Sequence, residues 1–418
     1  MAGQLAGAVL AGGAADIARG RRPDVAGALF NPGTALKLAG ELARLRGAAM
    51  KLGQIISMDG GQLLPPEWAG VFARLRADAD PMPPAQLQAQ LAAAWGADWR
   101  RHFRDFPDRP IAAASIGQVH RAVLADGRQV AVKVQYPGVA ASINADVDNA
   151  ASLIRLSGLV PAGLDLAPLL AAAKAQLAEE ADYAREAACL QGYAALVAAW
   201  PDVQVPGVVA ELSGGHVLVM DWLGGVSVDS AAALPQAERD RLCALLFKLV
   251  LHELFDWRLM QTDPNFANYR YCLSTGRLIL LDFGAVRAIP EDLSAGYQAA
   301  LQAGVNGDDA ALLVALRGMG LLAAQPHAGE AALLRTVLAL AGEAFAPIRA
   351  GGSFDFGTTD LAKRLVAQSM AMLDERAAFV APPPDLLFIQ RKLGGMALLA
   401  SSLKARLDVR DMLGGWVA

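Results

Sequence analysis

The sequence predicts an α+β protein, mainly helical, with a smaller sheet in its first half. Three observations carry that expectation. Hydrophobic residues fill 54% of the 418 positions, and much of that share is alanine, the best helix former. From Ile111 the pattern turns to alternation: "IAAASIGQVHRAVL", then "ADGRQ", then "VAVKVQY" reads as two strands joined by a tight turn at Asp126-Gly127. After Gly224-Gly225 the chain reads as helical to its end, interrupted by a strand pair near "NYRYCL" and "RLILLDF".

Taken in order, residues 24–104 read as several helices, one opening at Pro66, where proline suits a first turn. "DADPMPPAQL" is a proline-rich break before the next helix. Pro137-Gly138 ends the hairpin unit. Residues 140–158 and 163–199 read as helices, the second long and rich in Ala, Leu, Glu and Lys. "VQVPGVVAEL" and "HVLVMDWL" return to strand character. The chain shows neither an internal repeat nor a low-complexity linker. It divides into a helical extension (1–104), a small sheet with long helices (105–224) and a larger helical part (225–418).

Composition excludes several functions. A net charge of −4 argues against a broad basic surface for nucleic acid. Cys189, Cys243 and Cys272 are far apart and lack C-x-x-C spacing, so neither a disulfide framework nor a zinc site is expected. The five histidines form no H-x-x-x-H pair. No run of eighteen apolar residues is free of charge, so no transmembrane helix is expected. The N-terminal stretch lacks an early basic region, so neither a secretory signal nor a mitochondrial presequence is expected. The C-terminal "MALLASSLKARLDVRDMLGGWVA" contains Lys404, Arg406 and Arg410, too much charge to span. The expected location is cytoplasmic, with any attachment to the inner membrane peripheral, through apolar helix faces.

The chemistry lies in a set of motifs. "AAASIGQV" nearly matches the phosphate-gripping frame G-x-G-x-x-G-x-V, with Gly117 and Val119 in place but Ala112 and Ala114 where glycines would stand. Lys133 ends the buried strand "VAVK", so its ammonium must face an anion or be neutralised. A carboxylate partner is available in "EEADYAREA", where Asp182 and Glu186, four apart, would share a face of the long helix while Glu180 points elsewhere. "QTDPNFANY" holds Asp263 and Asn268 at the D-x-x-x-x-N spacing of a kinase catalytic loop, an aspartate for the hydroxyl acceptor and an asparagine oxygen for Mg²⁺. "LILLDFGAVR" places Asp282, a hard oxygen ligand, in D-F-G after an apolar strand. Each motif alone is weak. Their order predicts a protein-kinase-like, two-lobed fold. Two departures stand out. Gln261-Thr262 replace the His-Arg of H-R-D, and Pro290-Glu291 follow six residues after Gly284, leaving little chain for a protein-substrate platform.

On these residues the sequence resembles the UbiB family of atypical kinases, linked to ubiquinone biosynthesis. "KLGQIISMDG" contains the family's K-x-G-Q as Lys51, Gly53 and Gln54; "AAASIGQVH" is its alanine-rich loop; "EADYAREA" carries its E-x-D as Glu180 and Asp182; and "QTDPNFANY" and "LDFGAVR" are its catalytic and metal-binding segments. The match runs from about residue 45 to 290. The resemblance implies that the alanine loop alters nucleotide grip and suppresses ordinary protein kinase activity. It also implies that the helix bearing Lys51 and Gln54 lies across the active site near Glu180 and Asp182, as regulatory elements.

The resulting expectation is a Mg²⁺- and ATP-dependent atypical kinase or ATPase supporting ubiquinone or another isoprenoid-quinone pathway. Lys133 would position the α/β-phosphates and pair with Glu186. Asn268 and Asp282 would hold Mg²⁺, and Asp263 would be the catalytic-loop aspartate. Ala112, Ala113, Ala114, Ser115, Gly117 and Val119 would cover the phosphates. Met220, Asp221 and Leu223 would form the adenine-side hinge. Expected partners are a small-molecule or lipid-like substrate and quinone-biosynthesis proteins, with no nucleic acid. The rival is an ATP-regulated module that binds a lipid-like quinone precursor or serves as a scaffold, with little turnover. A small-molecule kinase of the aminoglycoside type is the weaker alternative.

Overall fold

The computed structural model describes residues 81–114, 116–156, 167–263, 266–323, 330–361, 364 and 384–417. Lys51, Gln54, the Pro66 helix start and Ser115 lie outside them. The chain divides into two compact units, the first holding the described residues up to Arg185 together with Val209–Asp221, the second Glu186–Val208 and Trp222 onward.

The first unit opens with α1 (Pro84–Trp95), with Pro83 at its cap and Pro84 in its first turn, as the proline-rich break predicts. Strand β1 (Phe103–Asp105) follows, then β2 (Ala112–Ala113), β3 (Gly117–Leu124) and β4 (Gln129–Gln135). The β3–β4 turn forms where Asp126-Gly127 calls for it. Gly127 sits at φ +91°, open to glycine, and Asp126 Oδ1 accepts the Arg128 N–H at 2.9 Å. Helix α2 (Val139–Leu156) follows, then α3 (Ala167–Glu180) and α4 (Tyr183–Leu196), which carries the chain into the second unit. Strand β5 (Val203–Gln204) belongs to the second unit, and β6 (Val217–Asp221) returns to complete an antiparallel sheet in the order β1-β3-β4-β6, with β2 on the outer side of β3.

Strand β4 is central, and its residues from Val130 to Gln135 are buried, so the period-2 alternation sorts two different faces. Val130, Val132 and Val134 join a core with Leu87, Leu91, Trp99, Phe103 and Phe106. Each such side chain contributes about 1.5–3 kcal/mol by leaving water. The other face carries Ala131, Lys133 and Gln135.

Two expectations are corrected here. The long helix read over 163–199 is interrupted: α3 ends at Glu180 and α4 begins at Tyr183. Asp182 therefore does not share a helix face with Glu186. It precedes α4 and its Oδ1 accepts the Arg185 N–H at 3.0 Å, capping the helix. "VQVPGVVAEL" contains only the short β5 and a 3₁₀ turn at Ala210–Leu212 rather than a longer strand.

The second unit contains β7 (Val226–Ser227), α5 (Gln236–Leu251) running into a π-helical turn at His252–Asp256, β8 (Leu259–Gln261), β9 (Tyr269–Cys272), β10 (Arg277–Leu280) and β11 (Val286–Ala288). Strands order as β5-β10-β9-β7, with β5 parallel to β10, and β8 pairs separately with β11. Then come α6 (Glu291–Asn306), α7 (Asp309–Gly318), α8 (Glu330–Ala350), β12 (Phe354–Asp355), α9 (Pro384–Ser402), β13 (Arg406–Leu407) and the short α10 (Val409–Leu413). Among the described residues α8 is long and apolar enough to cross a membrane by length and composition, with mean hydropathy 1.5, which the requirement for a charge-free run had passed over. Its Phe345 packs on the bare backbone of Gly304 in α6, and Arg349 donates to the Gly304 carbonyl at 2.8 Å.

Candidate active site

The alanine loop is a tight hairpin. Ala112 pairs with Val119 and Ala113 with Gln118, and Ala114 N–H donates to Gly117 O at 2.8 Å. Neither the three alanines nor Gly117 has a positive φ. The backbone therefore asks for no glycine at 112 or 114, and alanine costs it nothing. Gly117 is required for a different reason. A Cβ there would stand 2.4 Å from Val134 O and 2.7 Å from the Tyr183 hydroxyl. Ala112 and Ala113 are exposed, Ala114 and Val119 half-buried.

Lys133 sits opposite Val119 in the register and is 7% exposed. Its ammonium lies 5.1 Å from the centre of the Tyr183 ring, within cation–π range. On the same face Gln135 Nε2 donates to Ala181 O at 2.8 Å, while its Oε1 lies 2.7 Å from His216 Nδ1. The break between α3 and α4 thus packs over the lysine face of the sheet, and Tyr183, absent from the sequence reading, is its anchor. Glu180 closes α3 half-buried, and Asp182 is exposed. Glu186 is fully buried in the first turn of α4. Met220 and Asp221 end β6 against Ala131 and Val130; Asp221 closes the first unit, and Leu223 lies two residues further along the chain.

In the second unit the catalytic-loop and D-F-G residues are tied together. Asn268 Nδ2 donates to Asp263 Oδ2 at 3.2 Å, and Arg391, 128 residues downstream, reaches Asp263 Oδ1 at 3.2 Å. This clamp is mostly buried, with the Arg391 and Asp263 side chains 7% and 16% exposed. Leu281 N–H donates to Asn268 O at 3.0 Å, and Thr262 donates to Ala285 O from both its N–H and its hydroxyl. Asp282 Oδ1 accepts Gly284 N–H at 3.0 Å, and Phe283 is fully buried against Tyr193, with ring centres 4.9 Å apart. After Gly284 the chain goes through β11 to Pro290, which caps α6, so the segment is as short as the sequence indicates.

Beneath Asp263 lies a sealed polar network. Lys392 and Glu253 are both wholly buried and 3.1 Å apart. Lys392 Nζ also donates to Gln261 O and to the Tyr269 oxygen, both at 2.7 Å. Glu253 Oε1 accepts from the Tyr193 hydroxyl at 2.9 Å. Burial works against the Lys392 ammonium, but Glu253 and Tyr269 outweigh it and hold its pKa above the ordinary lysine value. Burial pushes the Tyr269 hydroxyl up to about 12. The motif search missed Arg391, Lys392 and Glu253. A signal existed: Glu253 continues the apolar stripe of α5 (Leu246, Leu249, Val250), and Lys392 continues that of α9 (Ile389, Met396, Leu399). Opposite charges on buried stripes must find each other.

The second unit's hairpin, clamped aspartate and D-F-G turn define a protein-kinase-like catalytic segment, and the comparisons agree. Residues 74–315 match the model of the ABC1 atypical kinase-like domain. An atypical mitochondrial kinase of Caenorhabditis elegans, coq-8, is 39% identical over 96% of this chain and 54% of its own length. The mitochondrial COQ8B of Rattus norvegicus is 40% identical over 89% of this chain and 69% of its own, and the COQ8 of Saccharomyces cerevisiae 33% over 94% and 78%. The structure of Rv3197 with erythromycin, from Mycobacterium tuberculosis, superimposes with TM-score 0.64 at 26% identity, covering 92% of this chain and 96% of that one. The chain belongs to the ABC1 family of atypical kinase-like proteins, which bears out the UbiB resemblance. It spans about half the length of the nematode relative.

Proposed function

We propose that the protein is a Mg²⁺- and ATP-dependent atypical kinase or ATPase that supports ubiquinone or another isoprenoid-quinone pathway, with a small-molecule or lipid-like substrate, quinone-biosynthesis proteins as partners and peripheral attachment to the inner membrane. The observation that carries it is Asp263, held on both oxygens by Asn268 and Arg391. A carboxylate fixed in this way is oriented for a hydroxyl or water. In this reading the residues 112–119 cover the phosphates, Lys133 meets the α/β-phosphates with Glu186 as its carboxylate partner, and Met220 to Leu223 form the hinge. In the same reading Lys51, Gln54, Glu180 and Asp182 are regulatory residues.

The donor set suits Mg²⁺. Asp282 offers carboxylate oxygen, and Asn268 spends its amide nitrogen on Asp263, which leaves the carbonyl end for a cation. Among the described residues no three His, Cys, Asp or Glu side chains cluster as a metal site by themselves. An ion held by Asn268 and Asp282 would serve the substrate phosphates by neutralising their charge.

The short run from Gly284 to Pro290 supports the second reading, an ATP-regulated binding module with little turnover. One experiment separates the two: ATP hydrolysis with Mg²⁺, with and without anionic liposomes, for the wild type and Asp282→Asn. Lipid-stimulated turnover abolished by the substitution supports the ATPase. Nucleotide binding without turnover supports the module, and absence of nucleotide binding sinks both.

A further inference from the structure

We propose that Lys392 and Glu253 are positioning residues for the catalytic loop, an ion pair sealed from water that holds the strand leading into Asp263 by its backbone. The inference rests on the reading of Asp263 as the catalytic-loop aspartate. Four observations point to it.

First, the pair acts on main chain. Lys392 Nζ donates to Gln261 O at 2.7 Å, and Glu253 Oε1 accepts Gln261 N–H at 3.3 Å. Both polar groups of the Gln261 peptide framework, two residues before Asp263, are therefore held by one ion pair. Second, the side chain of Gln261 is taken as well: its Oε1 accepts from the Tyr269 hydroxyl at 2.8 Å and from Lys392 at 3.2 Å. Tyr269 directly follows Asn268, so the two ends of the D-x-x-x-x-N loop are tied to the same ammonium. Third, Glu253 lies in the π-helical turn that ends α5, a widened turn of the kind that recurs at functional sites. Fourth, the network reaches the D-F-G turn: Tyr193, bonded to Glu253, packs on Phe283.

The ion pair also accounts for the altered motif. Where H-R-D has His-Arg, this chain has Gln261-Thr262, and each is fixed from a different side: Thr262 by Ala285 and Gln261 by Lys392. A buried ion pair of this kind fixes one geometry, because any shift leaves a charge unpaired in low dielectric. A core role alone would need only packing at these positions. The bonds to the Gln261 backbone from both charges give the pair a direction, toward the loop.

The test uses the full chain carrying Lys392→Met with Glu253→Gln, which removes both charges and the tie to Gln261 O without stranding either charge. Two readouts are taken: hydrogen exchange across residues 259–269, and Mg²⁺-dependent ATP turnover. Expected are exchange at the loop amides at least about tenfold faster, unchanged exchange in α6, and kcat lower by about 100-fold with KM for ATP within about twofold. A folded variant with wild-type loop exchange and wild-type kcat overturns the proposal. So does uniform loosening of the whole second unit with kcat and KM moving together, the mark of a purely structural pair. If the wild type shows no turnover, the functional reading fails while loop exchange still decides the positioning claim. If the double variant does not fold, Tyr193→Phe, which withdraws one hydroxyl from Glu253, carries the same two readouts.

Discussion

At Gly117 a missing methyl group decides the packing. The loop's resemblance to a glycine-rich frame suggests that this glycine serves a phosphate, yet its backbone is extended and its Cα faces Val134 O and the Tyr183 hydroxyl. Gly117→Ala forces β3 and β4 apart or displaces Tyr183. An overpacking cost of about 1–3 kcal/mol follows, read as a lower midpoint in urea titration. Ala114→Gly, by contrast, changes no contact that the fold needs and leaves the midpoint within about 1 kcal/mol of wild type. The cysteines divide just as sharply. The hydroxyls of Ser274 and Thr275 hold the Cys272 thiol down at about 7, while burial pushes Cys243 up to about 12. With iodoacetamide at neutral pH, peptide mass spectrometry should find Cys272 modified first and Cys243 untouched until the protein unfolds.

The break between α3 and α4 shows what a single element boundary controls. The Ala-, Leu- and Glu-rich run from 167 favours continuing the helix, but the cap bond from Asp182 and the burial of Tyr183 over the sheet restart it. Asp182→Ala should lose about 1 kcal/mol, and Asp182→Asn, which keeps a capping oxygen, should recover most of it in thermal unfolding. A second tie holds the start of α1 to the sheet. The Met82 N–H donates to Gln118 Oε1 at 2.7 Å, Gln118 Nε2 meets His120 Nε2 at 2.9 Å, and His120 Nδ1 meets Pro107 O at 2.9 Å. The chain closes only with a neutral imidazole. Burial lowers the His120 pKa from 6.5, opposed by the Pro107 carbonyl and Asp108. As pH falls below about 6.5 the unfolded chain takes up the proton first, so stability drops until the folded imidazole itself titrates. His120→Gln should flatten the midpoint temperature against pH across that acid window.

At the scale of the whole molecule, the second unit is held by groups far apart in sequence. Lys392 lies 131 residues after Gln261, and Arg391 lies 128 after Asp263. Removing one charge of the buried pair strands the other, so Lys392→Met alone should cost about 3–5 kcal/mol in urea unfolding, more than the double neutral variant with Glu253→Gln. The geometry of the Asp263–Asn268 loop and the stability of this unit are therefore coupled through α9, an element outside the motifs on which the sequence resembles the UbiB family.

The hairpin at Asp126-Gly127, the strand pair around "NYRYCL" and "RLILLDF", the order of the motifs and the short segment after D-F-G were legible in the sequence. They depend on local rules: alternation, turn chemistry and fixed spacing within a dozen residues. Which residue bonds Asp263, why Gly117 must be glycine and where the long helix stops were not. Each depends on a partner brought from elsewhere: Arg391, Val134 with Tyr183, and the sheet beneath the α3–α4 break. The buried charges sit between these cases. Sequence alone shows Glu253 and Lys392 on apolar stripes and requires that each find a partner. Only the packing of α5 against α9 makes them partners of each other, because the cost of an unpaired charge says that a match must exist but not where it lies.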